Sequence, residues 1–232
     1  MKNLLLPALL ALTTLPPAFA QSAQTRPVPT FHAISVGTGI ELDLTAGRSQ
    51  HVEVSAATDA FRDHLETTVK DGVLRLRYEN PDDRNGRDRT NKHLRVAVTA
   101  DELTSLAAGS GASVRTSGDF DAAEFRLDVS SGAVVKADLA TTTLTVRQSS
   151  GSTADVRGRA ASLDIQSSSG ATFDALGLLT DHCRAQASSG SAVSVAVKDD
   201  LVAQASSGGS ISYKGSPQVT KHTSSGGGVN RQ

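Results

Sequence analysis

The sequence predicts an all-β protein whose main part is a parallel β-helix, a solenoid of about 18–21 residues per turn. Three observations support this fold class: glycines recur at a regular interval, a serine precedes each of them, and apolar residues stand at fixed offsets from them. The glycines are Gly111, Gly132, Gly151, Gly170, Gly190, Gly208 and Gly226. The serines are Ser110, Ser131, Ser150, Ser169, Ser189, Ser207 and Ser225.

The apolar residues form columns when the chain is aligned on these glycines. The column three places after the glycine is Val114, Val135, Ala154, Phe173, Val193, Ile211 and Val229. The columns seven and five places before it are mostly apolar and include Leu144, Leu163 and Cys183 in one and Val146 and Ile165 in the other. Within each segment the offsets differ by two, which is the period of a strand with one buried face. Each turn therefore holds two or three short strands, and stacked turns bury a continuous interior.

The corners of the predicted solenoid lie at the serine and glycine positions. Glycine suits a backbone that turns sharply with a positive φ. We expect the stacked serines to form a structural ladder, in which they hydrogen-bond to the backbone or to one another between turns. A flexible glycine and serine linker would explain the composition but not the apolar columns beside it.

The N-terminal part, residues 31–100, is predicted to be a β-rich cap that covers the first end of the solenoid and continues into the repeats at 101–232. A divergent first turn surrounds Gly39, and residues 51–55 and 94–100 read as strands. Thr58 is placed to cap a short helix. Asp71 and Gly72 have the composition of a β-hairpin turn. Residues 81–93 read as a charged surface loop.

Residues 1–20 resemble a Sec-type signal peptide, with Lys2 before a short apolar stretch and Ala18-Phe19-Ala20 before the expected cleavage point. Residues 21–30 would be a linker. No later stretch approaches the roughly 20 apolar residues of a membrane helix, so we do not expect the chain to span a membrane. The 23 basic and 24 acidic residues are interspersed, which argues against a nucleic-acid partner.

Candidate chemistry is sparse. The six histidines lack metal-ligand spacing, no serine stands in a nucleophile motif, and we predict no cofactor. Cys183 lies in an inward column and is expected to act as a small buried hydrophobe. Asp155 and Asp174 would stack one turn apart on the outer surface, as a candidate cation or acid/base pair, and Lys136 could form a cross-turn ion pair with Asp155.

The opening F-x-x-I-x-V-G-x-G-I-E-L-D-L from Phe31 to Leu44, the hairpin VKDGVLRL, the segment LTSLAAGSGASV and the recurring SSG turns resemble the head GIN domain family. Its members are exported bacterial proteins labelled auto-transporter adhesins. The resemblance implies a β-helical domain at the bacterial envelope and an adhesin role, and it supplies no catalytic residues. With the usual handedness of parallel crossovers, it also implies a right-handed solenoid.

These observations favour an exported, non-enzymatic protein that binds a protein or glycan of the envelope or cell surface. No translocator barrel of many alternating strands is apparent in the sequence, so we expect the periplasm as its location, with the cell surface or the exterior as alternatives. Two other functions stay open. One is a carbohydrate-active β-helix enzyme, and the other is a passive envelope component that self-associates end to end through its C-terminal turn.

Overall fold

The computed structural model describes residues 23–79, 91–118 and 120–232. The predicted signal peptide and most of the predicted charged loop lie outside these residues. The N-terminal elements are β1 (Gln24–Thr25), β2 (Ala33–Val36), β3 (Glu41–Ala46), β4 (His51–Ser55), α1 (Asp59–Asp63), β5 (Leu65–Lys70), β6 (Val73–Tyr78) and β7 (Arg95–Ala100). The remaining strands are β8 (Ser105–Ala108), β9 (Ser113–Ser117), β10 (Phe120–Val129), β11 (Val134–Gln148), β12 (Thr153–Ser167), β13 (Thr172–Ala187), β14 (Ala192–Ala205), β15 (Ser210–Lys214), β16 (Gln218–Thr223) and β17 (Gly228–Arg231).

The strands from β8 onward stack as a β-solenoid, which confirms the predicted fold class. Every pairing among β8 to β17 is parallel, and residues in register are one turn apart: Val135 pairs with Ala154, and Ala154 with Phe173. Each of the long strands β11 to β14 contains two legs, one after the serine–glycine corner and one before the next corner. The handedness of the solenoid stays a prediction.

The interior is a stack of apolar side chains, as the sequence pattern indicates. In the column three places after the corner glycine, all residues from Val114 to Ile211 are at most 1% exposed. Cys183 is 4% exposed and packs in the same core. The columns end at the last turn, where Val219 and Val229 are only half-buried and Lys221 is exposed. In the described residues β16 pairs only with β14, and β17 only with β15, so end-to-end association through this turn stays a prediction.

The cap contains the predicted hairpin and helix. Strands β5 and β6 pair in antiparallel fashion across Asp71 and Gly72, which have φ of 54° and 73°. The helix α1 begins after Thr58, whose side chain accepts a hydrogen bond from the backbone N–H of Phe61 at 3.2 Å. Among the described residues, no helix combines the length and apolar character required to cross a membrane.

The chain enters the stack at an inner layer. Strands β2 and β3 pair in parallel with β6 and β7 on one side and with β8 and β9 on the other. The first turn is therefore enclosed between the cap and the repeats. Strand β4 then adds to β7, and β1 adds to β4, both in antiparallel fashion, so these strands lie beyond β3 at the cap end.

Candidate binding groove

The serine–glycine corners are type I′ turns. Each serine has a φ between 47° and 55°, and each following glycine a φ between 66° and 76°. In the corner at 149–152, the N–H of Ser152 donates to the carbonyl oxygen of Ser149 at 3.3 Å, which closes the turn. Two central residues with positive φ define this turn type and explain why glycine recurs at the second of them.

Backbone hydrogen bonds link the corners of successive turns. The glycine N–H of one turn donates to the serine carbonyl oxygen of the next, at 3.0–3.2 Å; Gly151, for example, donates to Ser169. All seven serine side chains are exposed. These backbone hydrogen bonds connect successive turns at the corners, and a ladder formed by the serine side chains stays a prediction.

The position directly after each corner glycine is small, and it is buried at every corner except the last. Its occupants are Ala112, Ala133, Ser152, Ala171, Ser191, Gly209 and Gly227. The Ser152 hydroxyl lies 3.0 Å from the carbonyl oxygen of Val129, and the Ser191 hydroxyl donates to that of Ser167 at 2.9 Å. This column was not identified from the sequence because alanine, serine and glycine do not form an apolar pattern. Its small side chains let successive turns approach closely at the corner.

Two polar rows run along the solenoid beside these corners. The glutamine row stands four places before the corner glycine and consists of Asp128, Arg147, Gln166, Gln186, Gln204 and His222. The serine row stands two places before it and consists of Ser130, Ser149, Ser168, Ser188, Ser206 and Ser224. Both rows lie on the outer side of the strands, because the residues between them, such as Gln148 and Ala187, point into the interior.

A groove follows the two rows, and we call it the corner groove. Three adjoining cavities form it, with volumes of about 460, 400 and 420 Å³ from the cap end onward. The first two share Asp128 and Ser130, and the last two share Gln186 and Ser188. The groove therefore extends from the cap to the last turn of the described chain.

The corner groove carries balanced charge. Its lining residues include two positive side chains, Arg77 and Arg147, and two negative ones, Glu79 and Asp128. Asp128 is further engaged by Arg126, whose Nε lies 2.6 Å from a carboxylate oxygen. This hydrogen bond and the Asp128 charge raise the pKa of Arg126. Most of the remaining lining groups are amides, hydroxyls and backbone, each able to donate or accept hydrogen bonds.

Two buried polar side chains point into the interior of the solenoid beneath the groove. Gln148 and Ser167 are both 3% exposed and are in register on neighbouring turns. The Gln148 Nε2 donates to the carbonyl oxygen of Thr172 at 2.8 Å. The Gln148 Oε1 and the Ser167 Oγ have no hydrogen-bond partner in the described part of the chain. Buried polar atoms of this kind are uncommon in proteins and call for a structural or functional reason.

The predicted surface candidates Asp155 and Asp174 lie on the other leg, in register on adjacent turns. The expected ion pair between Lys136 and Asp155 is wrong: Arg157, two residues along the same strand face, pairs with Asp155 at 3.1 Å. The hydrogen bond and charge of Asp155 raise the pKa of Arg157. Asp174 accepts a hydrogen bond from the N–H of Leu176 at 3.0 Å. A catalytic or cation-binding role for this pair stays a prediction.

Cys183 is held as a protonated thiol. Burial, and secondarily the charge of Asp164, raises its pKa from 9.0 to about 12. The thiolate is the reactive form of cysteine. We therefore expect an aromatic disulfide reagent at neutral pH to leave Cys183 unmodified in the folded protein and to react with it stoichiometrically in concentrated guanidinium chloride. Modification at the same rate in both states would contradict the buried position.

The same pKa shift predicts a pH dependence of stability. Between about pH 9 and 12 the thiol of the unfolded chain ionises while Cys183 of the folded protein keeps its proton. The contribution of Cys183 to the free energy of unfolding is therefore complete below this window and decreases as the pH rises through it.

Among the described residues, no group of three or more His, Cys, Asp or Glu side chains is arranged to hold a metal ion.

The corner groove was missed in the sequence because its residues are polar and resemble any solvated strand face. A signal was nonetheless present. The pattern Q-x-S-S-G begins at Gln166, Gln186 and Gln204, so the glutamines keep the same offset to the corner as the serines do. A fixed offset of a long polar residue in successive turns indicates a continuous row on the surface.

A family model described as "Putative auto-transporter adhesin, head GIN domain" matches residues 30–217. The structure is similar to a "putative adhesin" from Bacteroides fragilis NCTC 9343, with a TM-score of 0.80 and 17% identity over 93% of this chain and 99% of that chain. A "putative lipid binding protein" from Parabacteroides distasonis ATCC 8503 has a TM-score of 0.71 and 14% identity over 93% and 98% of the two chains. A "putative adhesin" from the same organism has a TM-score of 0.71 and 18% identity over 91% and 97%.

These identities establish similarity of fold. No protein with a curated description matches the sequence.

Proposed function

The chain belongs to the head GIN domain family, and from this premise we propose that it is an exported, non-enzymatic, adhesin-like protein that binds a component of the bacterial envelope through the corner groove. Family membership and the adhesin-named structures of the same fold support the adhesin-like part of the proposal. The N-terminal signal-peptide pattern supports export, and we place the protein in the periplasm.

The continuity of the corner groove is the observation that carries the binding proposal. Three adjoining cavities follow the serine row, and three successive turns add a glutamine, at Gln166, Gln186 and Gln204. Such a surface suits an elongated partner that makes many similar contacts, because each turn contributes the same kind of hydrogen bond. Multiple weak contacts along one partner can together give useful affinity.

The proposal predicts that replacing Gln166, Gln186 and Gln204 together by alanine weakens binding to isolated Gram-negative envelope fractions. Each lost hydrogen bond contributes about 0.5–1.5 kcal/mol, so we expect a loss of at least about tenfold in affinity. The measurement is saturable binding of labelled protein in a sedimentation assay. Circular dichroism should show an unchanged β signal, because the three side chains lie on the surface.

The control variant carries Thr153→Ala, Thr172→Ala and Ser210→Ala, three exposed polar positions on the other leg of the solenoid. It removes as many polar side chains and leaves the corner groove intact. We expect it to bind as the unmodified protein does. Equal binding by the glutamine variant and this control would rule out the corner groove as the binding surface.

A further inference from the structure

We infer that the corner groove binds a linear, uncharged polysaccharide that lies along the solenoid axis with about one sugar unit per turn. The inference rests on the proposed function, because it assigns a ligand class to the same groove. Four properties of the groove support it: its length, the spacing of its rows, its hydrogen-bonding groups and its charge.

The spacing of the rows favours a sugar chain over an extended peptide. Equivalent groups recur once per turn, at the separation of neighbouring strands, about 4.8 Å. Side chains on one face of an extended peptide recur at about 6.6–6.8 Å, so such a peptide loses register with the rows. Pyranose rings in an extended glycan advance by nearly the strand separation per ring. Successive rings of an extended β-1,4-linked chain face in opposite directions, so rings of the same orientation meet the rows at every second turn, and the amides and hydroxyls there can hydrogen-bond to either edge of a ring.

Polyproline peptides fit the rows less well for a chemical reason. They dock in grooves lined by aromatic side chains, on which the proline rings pack. The second and third cavities of the corner groove contain no Phe or Tyr among their lining residues. The row positions there are occupied mainly by glutamine and serine, which would leave proline rings against polar groups.

The hydrogen-bonding groups match those of sugar hydroxyls. A hydroxyl both donates and accepts, and so do the amide of glutamine and the hydroxyl of serine. The glutamine row and the serine row flank the groove, so a ring between them can be contacted from both edges.

The charge of the groove favours an uncharged ligand. Its two arginines are balanced by one glutamate and one aspartate, and the central glutamines are neutral. A polyanion would need an excess of basic groups along its path, as in nucleic-acid sites. Because the groove has few aromatic rings, each sugar is bound mainly by hydrogen bonds and contributes little affinity alone. The affinity for an oligosaccharide should therefore increase with the number of sugars it contains.

The test uses β-1,4-linked gluco-oligosaccharides from disaccharide to octasaccharide as extended probes and α-1,4-linked oligosaccharides of the same lengths as curved probes. Binding is measured by isothermal titration calorimetry with the purified protein. We expect affinity for the extended series to rise with each added unit, and the curved series to bind at least about tenfold more weakly at the longest length. Gln186→Ala, at the junction of two cavities, should weaken octasaccharide binding about threefold to tenfold.

Thr172→Ala on the other leg is the control and should leave octasaccharide binding unchanged. Absence of binding to the extended series by folded protein, length-independent binding, or tighter binding of a polyuronate would each overturn the inference. The envelope-binding assay distinguishes a failure of this inference from a failure of the proposed function. If the glutamine variant loses envelope binding while no neutral oligosaccharide binds, the ligand class is wrong and the groove is still the site. If that variant retains envelope binding, both proposals fail.

Discussion

Replacing Gly158 by alanine is expected to lower the free energy of unfolding by about 2–6 kcal/mol, the combined range for a strained backbone and an overpacked site. Gly158 lies in β12, between its two legs, with a φ of 106°. A Cβ atom there would lie 2.2 Å from the carbonyl oxygen of Leu139 in the preceding turn. Because the obstacle is backbone of the neighbouring strand, the two turns would have to separate. Urea unfolding followed by circular dichroism measures the loss.

Gly151→Ala is the matched control for Gly158→Ala. Gly151 also has a positive φ, 66°, but nothing lies within 4 Å of an added Cβ. Only the left-handed backbone conformation then opposes the substitution, which costs about 1–2 kcal/mol. If both variants lost the same stability, close approach of the turns at Leu139 would not be the cause.

Phe173→Ala is expected to destabilise the protein by about 3–5 kcal/mol, the usual cost of truncating a buried phenylalanine. The Phe173 side chain is 1% exposed and pairs in register with Ala154 on one side and Val193 on the other. The small Ala154 beside the large Phe173 indicates that volume is shared between neighbouring turns. Thermal and urea unfolding should both show the loss.

A reciprocal variant tests this sharing of volume. Adding Ala154→Phe to Phe173→Ala returns an aromatic ring to the column one turn away, and we expect the double variant to be more stable than Phe173→Ala alone. Val134→Ala, at a side chain 39% exposed on the outer surface, should change stability by less than about 0.5 kcal/mol. A double variant that is less stable than Phe173→Ala would show that the two positions do not share a cavity.

Local features of the fold could be predicted from the sequence because each leaves its own residue signature. A positive φ requires glycine or tolerates few alternatives, so the corners at Gly151 and Gly170 are visible as a repeat. One buried face requires alternation, so the columns through Val135 and Leu163 are visible as well. The hairpin at Asp71 and the helix capped by Thr58 follow from turn and cap chemistry in the same way.

Pairings between distant segments could not be predicted in this way. The insertion of β2 between β6 and β8 depends on which strand edges meet, and no residue type marks that choice. The partner of Asp155 was misjudged because a cross-turn neighbour and a same-strand neighbour are equally near in the pattern, and only side-chain geometry selects Arg157. The corner groove was missed because polar rows carry no burial signal.

The inner position of the first turn imposes an order on folding. Strand β2 completes its sheet contacts only with β6, about 40 residues later in the chain, and with β8, about 70 residues later. Closing such long loops is slow compared with local pairing. From β10 onward each strand joins a neighbour about one turn away in sequence, so pairing can proceed turn by turn once a foundation exists.

We therefore expect the pairing of strands within residues 33–108 to be the rate-limiting step of folding, after which the later turns add one by one toward the C-terminus. In a chain that crosses a membrane N-terminus first, this N-terminal region would emerge and could fold before the repeats.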